Sequence, residues 1–162
     1  MVKTAKKRCD HKNVGVLVYK KSGKLLLLER MKRPYGWSPP AIHVDDDGEN
    51  FTAAARRAVL EKAGLDAQKL VLLLKRACEN KCVRRGGGWH NLRVFKAALW
   101  RGKLTRSRSE TRNALWVSEP KVRALASLTE AHLAGKISAR AWRKNPGLEV
   151  VWHKIFKNLG II

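Results

Sequence analysis

Three groups of residues in this sequence have types and spacing suited to chemistry. The first lies in AIHVDDDGENFTAAARRAVLEKAGL, residues 41–65, where Asp45, Asp46, Asp47, Gly48 and Glu49 precede a segment of helical periodicity that carries Arg57 and Glu61. An acid-rich glycine loop feeding an amphipathic helix can hold a divalent cation against a diphosphate, because carboxylate oxygens suit hard ions such as Mg²⁺. Ala58, Glu61 and Lys62 lie three and four apart and so share one helical face, which presents a methyl, a carboxylate and an ammonium. A lysine there repels a cation by about 4 kcal/mol at ~4 Å and an effective dielectric of ~20, yet offers positive charge to a phosphate without any metal.

The second group is KCVRRGGGWH, residues 81–90. Arg84 and Arg85 ahead of Gly86, Gly87 and Gly88 form a flexible cationic finger whose N–H groups can approach phosphate, and Trp89 and His90 supply flat faces for base stacking. The competing reading is a long surface loop in which Trp89 covers the edge of the core. The third group is Cys9, His11, Cys78, Cys82 and His90. Cys78 and Cys82 are spaced within the range of zinc ligands, but a Cys9-x-His11 pair is unusual and nothing in the sequence brings residue 9 to residue 78. Zinc is therefore disfavoured, and reduced thiols with ordinary surface histidines are expected.

The elements that must position these groups are legible from periodicity. Val14, Val16 and Val18 alternate with Gly15, Leu17 and Tyr19, and the turn Lys21-Ser22-Gly23 precedes LLLLER at 25–30; this predicts a hairpin followed by a strand buried on both faces. The proline-rich MKRPYGWSPPAIHV reads as a loop leading into a short strand. Phe51, Ala54, Ala55, Ala58, Val59 and Ala63 recur at helical spacing, with Gly64 placed to cap the C-terminus. Apolar runs at 70–77, 90–100 and 113–118 predict three more strands, Pro120 opens a helix, and the tail breaks at Asn145-Pro146-Gly147 before a last amphipathic helix from about Leu148. Trp37 and Trp89 fall in predicted loops, whereas Trp100, Trp116, Trp142 and Trp152 fall where core packing is expected.

Length bounds the answer to one domain, placed over residues 13–162 after a basic segment 1–12. Lys and Arg number 35 against 13 Asp and Glu, a formal charge of +22, while 44% of residues are apolar, as in a folded protein. That charge exceeds the magnitude of about 2–8 that solubility asks of a small domain, so an anionic partner, by default nucleic acid, is expected. No apolar run approaches a membrane span and the N-terminus lacks the apolar centre of a signal peptide, which predicts a soluble, intracellular (cytoplasmic) protein with no membrane partner.

Residues 41–65 also resemble the signature box of Nudix hydrolases, in register. Glu49 matches the first glutamate of that box, Arg57 its arginine, Val59 its apolar position, Glu61 the first of a glutamate pair and Gly64-Leu65 its close. LLLLER, SPPAIHV and SETRNALWVS resemble the flanking strands, so the likeness spans roughly residues 13–160. It implies an α/β fold, a Nudix-like α/β/α sandwich with a mixed β-sheet. It further implies glutamates at the positions of Ala58, Glu61 and Lys62 that converge on Mg²⁺ or Mn²⁺, leaving Glu61 and Glu49 here as catalytic groups and weak metal ligands. Glu110 stands where some Nudix proteins carry an additional carboxylate. The departures are Ala58, Lys62 and a loop one residue longer, with Ile42 where a glycine normally precedes His43. The expectation is a protein that binds a nucleotide diphosphate or RNA phosphates through Arg57, Lys62, Arg84, Arg85, Trp89 and His90, associated with RNA, such as that of a ribosome, with hydrolysis impaired or absent. The alternative is an active metal-dependent hydrolase of a nucleoside diphosphate linked to another moiety, or of an RNA 5′ end.

Overall fold

A computed structural model describes residues 6–44 and 48–162; Asp45, Asp46 and Asp47, part of the acid-rich glycine loop, lie outside the described residues. The elements are β1 (Lys12–Val18), β2 (Leu25–Arg30), β3 (Trp37–Ser38), β4 (Ala41–His43), α1 (Phe51–Ala63), β5 (Asp66–Glu79), β6 (Trp89–Arg101), β7 (Thr111–Val117), α2 (Glu119–Leu133), α3 (Ala139–Lys144) and α4 (Val150–Asn158). Strands β4, β1, β6 and β5 form one mixed sheet in that order, and β3, β2 and β7 form an antiparallel second one. The β1–β6 pair is parallel, from Lys12 opposite Asn91 to Val18 opposite Ala97.

The alternation of β1 and β2 divides the interior into two cores. Val14, Val16, Val18, Leu26 and Leu28 meet Ala54, Ala55, Ala58, Val59 and Ala63 of α1 on one side. Leu17, Leu25 and Leu27 point the opposite way, to Val122 and Leu125 of α2 and Trp152, Ile155 and Phe156 of α4. Helices thus cover both sides, which gives the α/β/α sandwich and explains why LLLLER has no polar face: each fully buried Leu contributes roughly 1.5–3 kcal/mol on either side. Gly15 has its own reason. A Cβ there would lie 2.1 Å from the Trp152 ring, so only glycine lets α4 settle on β1.

Three expectations are corrected. β1 and β2 are not a hairpin: they meet through an isolated bridge between Tyr19 and Leu25, because β1 spends its hydrogen bonds on β4 and β6. Trp37 is not in a loop but in β3, opposite Glu29, with its N–H bonded to the Gly147 carbonyl at 2.8 Å. The strand read at 70–77 runs the whole of Asp66–Glu79, its register broken by irregularities against β6; its exposed outer face hid its length from an apolar-run reading. Among the described residues, no helix is long and apolar enough to cross a membrane.

Candidate functional site

Helix α1 is fixed at both ends by its own sequence. Asn50 Oδ1 accepts the Ala53 N–H at 2.8 Å, and Gly64, at φ 67°, turns its N–H back to the Leu60 carbonyl. The following loop completes the C-terminus: Thr105 N–H bonds the Ala63 carbonyl at 2.8 Å and Ser107 N–H the Lys62 carbonyl at 3.2 Å. Those two bonds carry Glu110 to α1. Lys62 Nζ is ion-paired with Glu110 Oε2 as a result.

Arg57 ties the helix to the preceding loop. Its Nε and Nη2 donate to the two oxygens of Glu49 at 2.8 and 2.9 Å, and Nη2 also donates to the His43 carbonyl at 2.9 Å. Glu61 lies one turn on, 3.4 Å from Arg57 Nη1, with its side chain half exposed. Ala58 parts from this group: it is fully buried in the α1 core, so the face expected to present residues 58, 61 and 62 together presents only 61 and 62.

Arg57, Glu61, Lys62 and Glu110 line one side of a cleft of about 500 Å³. Arg30, Lys32 and Arg33 line it from the end of β2, Lys81 and Arg84 from the loop after β5, and Glu149 from the start of α4. Among the described residues, seven Lys or Arg thus line the cleft against three Glu, a set that favours anions. Arg30 sharpens that preference: its Nε is buried without a hydrogen-bond partner among the described residues, and burial lowers its pKa against the pull of Glu149 and Glu110. Burial likewise raises the pKa of Glu149, whose oxygens cap α4 through the Val151 and Trp152 N–H groups. Sequence reading missed Arg30 and Glu149, since one ends a hydrophobic strand and the other precedes an amphipathic helix.

The donor set among the described residues does not fit a tightly held Mg²⁺ or Mn²⁺. Glu49 is forked by Arg57, Glu110 is engaged by Lys62 and Ala58 has no oxygen to give. Glu61 is left as a half-exposed carboxylate beside a guanidinium, whereas these hard cations take several oxygens in a rigid array.

The loop after β5 is placed differently from a free finger. Cys9 N–H bonds the Arg85 carbonyl at 2.9 Å, Arg85 N–H the Lys7 carbonyl at 3.1 Å, and Cys82 N–H the Gly87 carbonyl at 2.8 Å. Arg84 reaches the cleft and Arg85 is exposed. Trp89 is 45% exposed with one face stacked on His11, ring centroids 4.2 Å apart and nearly parallel. His90 is fully buried and offers no surface for stacking; it sits instead with Cys9, Cys82 and His43. Burial raises the Cys9 thiol pKa and lowers that of His90. Cys78 and His11 stand outside this cluster, Cys78 packing on the α2–α4 core.

Comparison with known proteins agrees with this architecture. No curated protein matches the sequence. A MutT protein of Methanosarcina mazei Go1 superposes with a TM-score of 0.63 at 17% identity, over 97% of this chain and 96% of its own. A C. elegans Ap4A hydrolase gives 0.53 at 25% identity, over 76% of this chain and 99% of its own. The NUDIX domain of Shewanella oneidensis NrtR, complexed with ADP ribose, gives 0.55 at 17% identity, over 80% and 85%. The sequence profile of the NUDIX domain matches residues 10–139, and the chain belongs to that family.

Proposed function

We propose that the cleft beside α1 binds the diphosphate group of a nucleotide, free or at the end of an RNA, and that hydrolysis is impaired or absent. The ion pair of Lys62 with Glu110 carries this reading. In the register read from the sequence, Lys62 sets an ammonium where the signature box would have a glutamate, and it engages Glu110, a carboxylate that would otherwise be free to replace it. Phosphate oxygens would be met by Lys62, Arg84 and the unpartnered Nε of Arg30, as charge-assisted hydrogen bonds in a partly enclosed site. Arg57 holds Glu49 and the His43 carbonyl, a positioning role.

The net charge of +22 supports an RNA, of a ribosome or another particle, as the larger partner. Contacts to its phosphates would make affinity fall by about 0.7 log units per log unit of salt for each phosphate neutralised on a single strand; a flat salt response would sink the RNA part of the proposal. The hydrolytic part is tested by incubating the protein with nucleoside diphosphate derivatives and 5′-triphosphate or capped RNA, in Mg²⁺ and in Mn²⁺, beside a Glu61→Gln variant. No turnover above the blank is expected. Turnover that the variant loses would show that a reduced carboxylate set suffices and that this is an active hydrolase.

A further inference from the structure

Four ligand-bearing side chains from four separate segments converge at one end of the mixed sheet. They are Cys9 from the strand-like N-terminal segment, His43 from the end of β4, Cys82 from the loop after β5 and His90 from the start of β6. One atom from each lies within 4.8 Å of all the others. The separations that the structure gives are 3.8 Å between the two sulfurs, 3.3 Å between the two Nε2 atoms and 3.2 Å from Cys9 Sγ to His90 Nε2. A tetrahedral zinc with Zn–S of about 2.3 Å and Zn–N of about 2.05 Å requires about 3.8, 3.3 and 3.5 Å for those edges. We propose that Cys9, His43, Cys82 and His90 form a structural zinc site.

The surroundings supply what such a site needs. His90 Nδ1 lies 2.8 Å from Asn80 Oδ1, which can only accept. The ring proton is therefore on Nδ1, and the Nε2 lone pair is directed at the cluster, the orientation that outer hydrogen bonds enforce on metal-bound imidazoles. Without a metal, that one lone pair faces two groups at once, Cys9 Sγ and His43 Nε2. The His11 N–H approaches Cys9 Sγ at 3.4 Å, a donor for a thiolate. His11 itself takes φ 60°, a left-handed conformation uncommon for a non-glycine residue, next to the ligand it serves. At Gly87 a Cβ would lie 2.1 Å from Cys82 Sγ, so the glycine leaves room for that sulfur. Two thiolates and two neutral imidazoles around Zn²⁺ carry no net charge, which permits burial of Cys9 and His90 at 4% and 0% exposure. Paired soft thiolates with imidazoles in a tetrahedron select zinc over the hard cations of the signature box.

The site has a use in the fold. It cross-links the N-terminal segment and the loop at 80–88 to β4, and Cys82 and His43 themselves line the cleft. Zinc would thus fix the wall that carries Arg84. The His43 carbonyl is already held by Arg57, so both ends of that residue are anchored.

The test is metal analysis of the untagged chain of residues 1–162, together with the visible spectrum of protein reconstituted with Co²⁺. About one zinc per chain is expected, with a Co²⁺ spectrum showing tetrahedral ligand-field bands and thiolate charge transfer. Cys9→Ser and Cys82→Ser should lose most of the metal, and Cys78→Ser should keep all of it. Chelation should lower the unfolding temperature of the parent by several degrees or more. Should the Ser variants fail to fold, the parent's Co²⁺ spectrum and the Cys78→Ser control decide alone. Metal-free parent that gives no thiolate charge transfer with Co²⁺ overturns the proposal, as does loss of zinc in Cys78→Ser equal to that in Cys82→Ser. A Cys9–Cys82 disulfide in the native protein, seen as a two-proton mass loss without zinc, also overturns it.

Discussion

Replacing Arg57 by alanine separates a structural role for this residue from a catalytic one. In the parent, the guanidinium makes two charge-assisted bonds to Glu49 and one to the His43 carbonyl. The two side chains are only 28% and 16% exposed, so solvent screens the pair weakly. Removing one partner of a part-buried charged pair leaves the other desolvated, which costs about 2–4 kcal/mol. With a urea dependence of about 2 kcal/mol per molar, the unfolding midpoint should fall by about 1–2 M. Arg57→Lys should lose roughly half as much, because an ammonium cannot fork a carboxylate. A double-mutant cycle with Glu49→Gln should return a coupling energy of at least about 1 kcal/mol. A midpoint lowered by less than ~0.3 M, with no coupling to Glu49, would refute the claim that Arg57 clamps the loop to α1.

Two further outcomes follow from the same geometry. Lys62→Glu should raise Mg²⁺ affinity at least tenfold by calorimetry, since it removes an ammonium and sets three carboxylates (positions 61, 62 and 110) around the cleft; unchanged affinity would mean that α1 is out of register with the signature box. Glu149 has its pKa raised above 4.5, chiefly by burial, so its ionised form costs stability near neutral pH, and that cost disappears as pH falls through the folded pKa toward the unfolded one. Glu149→Gln keeps one acceptor for the α4 cap but sets its NH2 against the other N–H, so the check is the pH dependence: relative to this variant the parent should gain stability as pH falls from neutral toward ~4; a parent that loses relative stability on acidification would contradict this.

The parts of the molecule written in local sequence were legible, and the parts assembled from distant segments were not. Asn50, the alanine stripe and Gly64 specify α1 within one stretch, and its bounds match the periodicity. Val14, Val16 and Val18 announced a strand, but nothing in residues 12–18 says that its partner is β6, because parallel pairing is set by the cores on either face. The same limit hid the thiol–imidazole cluster. Cys82 lies past the end of β5 and turns back to Cys9 through the Lys7–Arg85 backbone pairing, while His43 arrives on a strand that pairs with β1. No spacing rule spans residues 9, 43, 82 and 90. Cys78, attractive by its spacing from Cys82, lies within β5 and packs on the other core. Arg57, Glu61, Lys62 and Glu110 line the cleft and Glu49 is joined to them through Arg57, a set that the stretch 41–65 and Glu110 suggested, whereas the burial of Ala58 and the contribution of Arg30 needed the packed structure.

The central claim is that this NUDIX chain meets a diphosphate with fixed cations in place of a metal. Calorimetric titration of ADP into the protein, with a chelator of Mg²⁺ present, tests it most directly, alongside Lys62→Ala. The account predicts saturable binding at one site without any divalent cation, weakened roughly tenfold or more by the substitution, the size of one hydrogen bond to a charged group. Binding that appears only when Mg²⁺ is added, and that Lys62→Ala leaves unchanged or strengthens, would contradict it.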